Sequence, residues 1–461
     1  MRRLPDGPKN RNFLRTLNWI VHPTEVLEAR LQKYGDTFRV AGRKPPYGIY
    51  FSSPEALQAI FTADSDQLSS AEGNRILLPI LGDHSLIVME GEYHQRQRRL
   101  LMPPFHGDRM RAYGELICSI TEQVMNQWRP RTPFAVRATM QEISLRVIIK
   151  AVFGVHAEAQ YQQLQHLLGS MLDAVSSPLS SFLLFFPVLQ RDLGAWSPWG
   201  YFLKQRQQID HFLYREITER RAAADSTRED ILSLLLSARD EAGQLMTDAE
   251  LRDELLTLLF AGHETTASAL AWALYWVDAL PAVRDRLLAE LDSLEPGAVP
   301  TEIAQLPYLT SVCQETLRIY PIALNAFPRI VKKPMELMGY SLDPGTFLIP
   351  SIYLAHRREQ VYPNPHQFRP ERFLERQFSP YEYLPFGGGN RRCIGLAFAQ
   401  FEMKLVLATI LSRWQIARVG KGSVKPARRG LTVAPPASLQ MMITENRQTT
   451  APIHSVQLVK R

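Results

Sequence analysis

One cysteine of this 461-residue chain stands in a setting that prepares it for chemistry. Cys393 follows Phe386-Gly387-Gly388-Gly389-Asn390-Arg391-Arg392 and precedes Ile394-Gly395 and a long apolar run. Glycines let backbone come close to a flat or bulky group. The pattern predicts a helix over 393–414, so the cysteine would meet free N–H groups at the positive end of a helix dipole. Both effects favour thiolate over thiol. A thiolate there is a nucleophile or a metal ligand. A nucleophile wants a histidine base, and none lies nearby in the sequence. A lone thiolate suffices for the iron of a porphyrin, and adjacent arginines suit porphyrin carboxylates. Taken alone, a cysteine is more often a small buried hydrophobe; the flanking pattern is what argues for ligation.

Three other groupings have useful spacing. In Ala261-Gly262-His263-Glu264-Thr265 the threonine lies four residues after the alanine. Its hydroxyl can bond back to the Ala261 carbonyl, open the helical ladder and bend the helix. Small residues at 261 and 262 leave room beside it, and Glu264 is an adjacent acid able to pass on protons. Glutamate is also simply a good helix former, and threonine a common neutral guest. His94 and Arg98 are four apart and share a helix face, within a basic run that would otherwise be a solvated surface. Glu315 and Arg318 are three apart, an ordinary surface pair unless buried.

The elements that must position these groups are mostly helical. Helix-period patterns cover 23–34, 54–62, 92–101, 109–128, 138–153, 157–173, 199–224, 230–238, 247–280, 282–291, 308–320 and 393–414, with β-type runs at 37–40, 48–51 and 347–352. The fold class is therefore mainly α with small β-sheets (α+β). The longest helix opens on a capping box, Thr247 with Glu250, and Pro281 stops it. It is apolar nearly all round from Leu255 onward. His263, Glu264 and Asp278 argue against a membrane span, leaving a buried central helix.

With these residues in place, the chain resembles the cytochrome P450 enzymes. Residues 386–395 have the form F-x-x-G-x-R-x-C-x-G of that family's haem loop. Glu315-Thr316-Leu317-Arg318 looks like its E-x-x-R pair, Pro370-Glu371-Arg372-Phe373 its P-E-R-F partner, and 261–265 its oxygen-binding segment, all in order. The resemblance runs from about Tyr34 to about Pro436. It implies haem b (iron protoporphyrin IX) between the central helix and the helix after the cysteine loop, with Cys393 as axial iron ligand. It places Phe386, Gly389, Arg391, Gly395, Ala261, His94 and Arg98 around the haem. His94 departs from the tryptophan many members carry there but keeps a hydrogen-bond donor. It makes Glu264 and Thr265 the catalytic acid–alcohol pair and turns Glu315, Arg318 and Arg372 into a buried structural triad.

The implied activity is O2-dependent monooxygenation. Two rivals stand beside it: a peroxide-driven or isomerising haem-thiolate enzyme, which would not need the acid–alcohol pair, and a non-catalytic haem or lipid carrier. Residues 76–88, 181–189 and 322–327 would line the pocket by analogy, and their apolar character predicts a lipophilic substrate, fatty acids before terpenoids. The look is that of the cyanobacterial and fatty-acid-hydroxylating branch. The Phe-rich 181–189 run would also allow weak peripheral membrane contact.

Composition narrows the partners. The net charge of +7 is modest for the length and does not argue for nucleic acid. Cys118, Cys313 and Cys393 are too scattered for a zinc site or a disulfide framework, which predicts a reducing, cytoplasmic setting. No linker, repeat or low-complexity stretch divides the chain, so 1–461 reads as one domain, expected to be a monomer. Neither a Gly-rich dinucleotide fingerprint nor a flavin motif is present. Electrons are thus expected from a separate ferredoxin or flavodoxin with its reductase, docking on a basic patch of Arg96, Arg99, Arg109, Arg392 and Lys404.

Overall fold

The computed structural model describes residues 4–8, 13–40, 46–107, 109–154, 158–176, 190–194, 196–223, 228–420 and 422–447. The 181–189 segment lies outside them. Eight helices frame the site: α1 (Pro54–Thr62), α2 (Gly91–Leu101), α3 (Arg109–Met125), α4 (Val136–Phe153), α5 (Pro198–Ala223), α6 (Asp248–Ala279), α7 (Pro307–Ile319) and α8 (Leu396–Arg413). The predicted helices are present within a few residues of their expected bounds, and short ones at Phe13–Val21, Leu78–Leu81 and Ile352–Ala355 add to them.

Helix α6 is the axis. The Thr247 side chain accepts from the Glu250 N–H while Glu250 reaches back to the Thr247 N–H, as the sequence implies. Its 32 residues span about 48 Å. It is apolar on every side because it is covered on every side: α4, α5, α7 and α8 all pack on it. Gly262 permits the closest approach, since a Cβ there would meet the Ile148 side chain of α4 at 3.1 Å. The main apolar core gathers around this axis.

The β structure is small and mostly too short to announce itself by alternation. A five-stranded sheet contains β1 (Thr37–Arg39), β2 (Gly48–Phe51), β3 (Leu68–Ser69), β4 (Arg329–Val331) and β5 (Phe347–Pro350), in the order β1-β2-β5-β4-β3. Strands β2 and β5 run parallel, with Ile49 opposite Leu348, and the other pairings are antiparallel. A second apolar cluster lies under this sheet and α1. The sheet matters to function because β4 brings Arg329 towards α2 and the cysteine loop. No helix among the described residues is long and apolar enough to cross a membrane.

Candidate active site

Protein covers α6 almost everywhere except at one turn. Residues 251–259 and 266–275 are buried, yet Ala261 is exposed and Phe260, Gly262 and Thr265 are half-buried. Ala261 and Thr265 share a face, and the Thr265 hydroxyl donates to the Ala261 carbonyl at 2.8 Å. Thr266 makes the same bond to Gly262 at 3.1 Å. Helix α6 runs through this turn within its single span Asp248–Ala279.

Glu264 occupies different surroundings from its neighbour. It is buried and caged by cations, with Arg137 of α4 at 3.4 Å and Arg429 at 2.8 Å. Gln141 of α4 also donates to it. The sequence places acid and alcohol side by side. The helix turns about 100° between them, so the acid joins α4 to the 427–434 hairpin while Thr265 stays on the uncovered side.

The cysteine loop is built on close backbone approaches. The Cys393 N–H donates to the Phe386 carbonyl at 3.0 Å, closing the loop on itself. Gly389 has φ +64°, and a Cβ there would lie 2.4 Å from the Phe61 carbonyl oxygen of α1. Any side chain would push the loop off α1. The helix after the loop begins at Leu396, not at Cys393 as the pattern predicts, because the Phe386 bond and Gly395 hold the cysteine in an extended turn. The expectation of a thiol simply eased into thiolate needs correcting too. The cysteine keeps an exposed surface, yet the protein packed around its sulfur pushes the thiol up. The Gly395 N–H, Arg98 and Arg392 pull it down without winning.

Beside this loop the charge is lopsided. His94, Arg98, Arg329 and Arg391 converge, with Glu90 as the nearby carboxylate. His94 is buried, and burial together with Arg391, Arg98 and Arg329 pushes its imidazole down to about 3. Arg98 donates to the Arg392 carbonyl at 2.7 Å, tying α2 to the loop. Arg391 donates to the Ser70 hydroxyl at 2.7 Å and to the carbonyls of Leu86 and Met89, so its guanidinium also fastens the 82–90 loop. Arg329 was not picked out from the sequence. Its Nη1 donates to the Phe327 carbonyl at 2.7 Å, while its buried Nη2 has no protein partner. Burial pushes it down to about 10. The available signal was a basic residue inside the apolar strand Phe327-Pro328-Arg329-Ile330-Val331.

A thiol with an open face, a helix turn bare of cover, and a guanidinium with one buried nitrogen unpartnered in a cation-rich cluster are what a flat, iron-bearing dicarboxylate would need. The donor set fits haem: a sulfur for the iron and cations for two propionates.

Beneath the loop lies the expected triad. Glu315 accepts from Arg318 at 2.6 and 2.9 Å, from Arg372 at 3.1 Å and from the Arg369 N–H at 2.7 Å. All three side chains are buried. Arg318 also holds the carbonyls of His356, Pro365 and Gln367, fixing the segment that leads to the cysteine loop.

Comparison with known proteins agrees with this geometry. The family model described as Cytochrome P450 matches residues 5–442. A Mycobacterium tuberculosis protein provisionally named cytochrome P450 135A1 is 35% identical over 451 residues, 96% of each chain. Cytochrome P450 135B1 of the same species, also provisionally named, is 32% identical over 449 residues, 97% of this chain and 93% of its own. Among solved structures, retinoic acid-bound cyanobacterial CYP120A1 has the same fold at a TM-score of 0.82. It is 24% identical, with 96% of this chain and all of that chain covered. The chain thus belongs to the cytochrome P450 family, the haem-dependent monooxygenases.

Proposed function

We propose that this P450 acts as one catalytic unit on a lipophilic organic substrate, fatty acids first and terpenoids second, with electrons from a separate ferredoxin or flavodoxin. One observation carries the O2-dependent reading over the peroxide-driven one: Thr265, bonded to Ala261, stands on the single uncovered turn of an otherwise buried helix. An alcohol in that place is needed where protons must be delivered, and is dispensable where peroxide brings its own.

The haem, when bound, supplies the oxygen-activating iron. The chain's own residues do the rest. Cys393 provides the thiolate ligand, and Phe386 and Gly395 flank it. Gly389 lets the loop lie against α1. His94, Arg98, Arg329 and Arg391 would hold the propionates, and Arg98 and Arg391 also lock the loop to α2 and to residues 82–90. Ala261 leaves room beside the ring. Thr265 holds a hydroxyl proton at Oγ beside the substrate. Glu264 reaches that hydroxyl only on leaving its cage, so in the resting arrangement it is a positioning residue.

Substrate class follows from the walls. Leu86, Ile87 and Val88 on the 82–90 loop, with Ile322 and Phe327 after α7, are apolar, and the loop is anchored by Asp253 and Thr257 of α6. Retinoic acid, bound in CYP120A1, is an isoprenoid carboxylic acid and belongs in the same screen. The basic docking patch shrinks: Arg96 is neutralised by Asp240 and Glu250, and Lys404 is turned onto the Ala304 carbonyl. Arg99 faces Glu241 at 3.3 Å in an exposed pair, which leaves Arg109 and Arg392. The test is turnover with a ferredoxin system, NADPH and isotopically heavy O2 against fatty acids and terpenes. One heavy oxygen in the product is expected. Product formed with peroxide but not with NADPH and ferredoxin refutes the reading.

A further inference from the structure

We propose that His356 is a positioning residue for Cys393: held as one neutral tautomer between α7 and Leu384, it sets where the cysteine loop leaves the buried triad, and so how firmly the loop keeps its sulfur on the iron. That role presupposes Cys393 as the iron's ligand, the reading given above; neither the oxidant nor the substrate enters it.

The tautomer follows from what its two partners can do. The imidazole is fully buried. Its Nδ1 lies 3.2 Å from the Arg318 carbonyl oxygen, which can only accept, so Nδ1 carries the proton. Its Nε2 lies 3.0 Å from the Leu384 nitrogen, whose N–H can only donate, so Nε2 is bare. A second proton would break the Leu384 bond. Burial, with the Arg318 and Arg357 guanidiniums, pushes the imidazole well below its ordinary range and keeps that proton away.

The grip on α7 is mutual. The Arg318 side chain donates to the His356 carbonyl at 2.9 Å, and the His356 ring donates to the Arg318 carbonyl. That carbonyl lies in the last turn of α7, where carbonyls lack a partner within the helix. Arg357 donates to the next one, the Ile319 carbonyl, at 2.8 Å. Two consecutive residues thus close the end of the helix that carries Glu315 and Arg318.

From Leu384 the path to the sulfur is short. Leu384 is buried, and its carbonyl accepts from the Gly387 N–H at 2.9 Å. The turn so formed presents the Phe386 carbonyl, which receives the Cys393 N–H at 3.0 Å. Tyr383 stacks on the His356 ring with centroids 5.6 Å apart, and its hydroxyl donates to the Gln314 carbonyl of α7 at 3.2 Å. Tyr383 fixes the plane of the ring, and the ring fixes the first amide of the loop. The triad therefore reaches the cysteine through Arg318, His356 and Leu384 in turn.

The test uses full-length haem-loaded protein and two substitutions that each keep one half of the ring's bonding. Asparagine extends as far as Nδ1 and can still donate to Arg318. Glutamine extends as far as Nε2 and can still accept from Leu384. Each variant gives up one buried hydrogen bond, so urea midpoints followed by tryptophan fluorescence should fall by similar amounts. The loop should tell the two apart. His356→Asn is expected to lose the strongly red-shifted band of the reduced carbon monoxide complex about tenfold faster than wild type, and His356→Gln to keep it. In the same complex of wild type, nitrogen NMR is expected to show a protonated Nδ1 and a bare Nε2 on the histidine whose signals vanish in both variants. Equal persistence of the band in the two variants overturns the proposal, because a merely structural ring is indifferent to which bond is lost. A protonated Nε2 overturns it as well. Should His356→Asn take up no haem, His356→Gln decides: a band as durable as that of wild type supports the role, and faster loss overturns it. A wild type with no red-shifted band sinks the Cys393 assignment and this role with it, while the nitrogen spectrum still decides the tautomer.

Discussion

Replacing Glu315 by glutamine removes one charge and leaves two buried guanidiniums facing a neutral amide. Four donors now reach the carboxylate, at 2.6, 2.7, 2.9 and 3.1 Å. Glutamine keeps one oxygen for them and turns an NH2 towards a guanidinium. Breaking a buried ion pair from one side costs about 3–5 kcal/mol, mostly because the remaining charge is uncompensated. Total stability is about 5–15 kcal/mol, so the loss is a large fraction. At a urea slope of roughly 3 kcal/mol per molar or more for a chain this long, the midpoint falls by about 1 M. The assay is urea unfolding of haem-loaded protein followed by tryptophan fluorescence and by the haem band. The haem band should go first, because Arg318 also fixes His356, whose Nε2 accepts the Leu384 N–H just before the cysteine loop. Lys333→Ala, which breaks an exposed pair with Asp66, serves as control and should leave the midpoint in place. A Glu315→Gln midpoint equal to that control refutes the claim that the triad holds the fold.

Cys393→Ser should abolish turnover and the strongly red-shifted band of the reduced carbon monoxide complex, measured on protein that still takes up haem. Arg329→Met should weaken haem retention, measured by transfer to apomyoglobin, by about tenfold, as one charge-assisted bond to a propionate is lost. His94 stays neutral in the haem-free fold down to about pH 3, whereas the unfolded chain takes a proton below about 6.5. Acid therefore favours unfolding progressively between those values, and His94→Gln should flatten that limb of the haem-free stability curve. Glu402 gives the opposite sign. The unfolded chain sheds its proton above about 4.5, while the native carboxyl holds it to about 8. Stability should decline across that window by at most about 1.4 kcal/mol per pH unit on this account, and Glu402→Gln should remove the decline.

What could be read from the chain was whatever is encoded within a few residues. The cysteine loop is legible because its close approaches need glycine at fixed positions. The central helix is legible because Thr247, Glu250 and Pro281 mark its ends. The start of α8 was misread by three residues because Cys-Ile-Gly-Leu continues a helical pattern. What halts it is a hydrogen bond from residue 393 back to 386, which no periodicity shows. The strands at 68–69, 134–135 and 427–429 are too short to alternate.

Side-chain direction and pairing were the harder part. Glu264 and Thr265 are neighbours in sequence, but their surroundings are set by α4 and by the 427–434 hairpin, which arrive from distant parts of the chain. The same holds for charge. Arg96 and Arg392 look alike in a tally of basic residues. Folding places Asp240 and Glu250 on the first and leaves the second exposed. Arg329 stands singly in the apolar run Phe327 to Val331, where a lone polar residue reads as a tolerated exception. Burial turns that exception into a demand, because a polar group kept out of water must find a partner, and the identity of the missing partner is what points to the haem carboxylates.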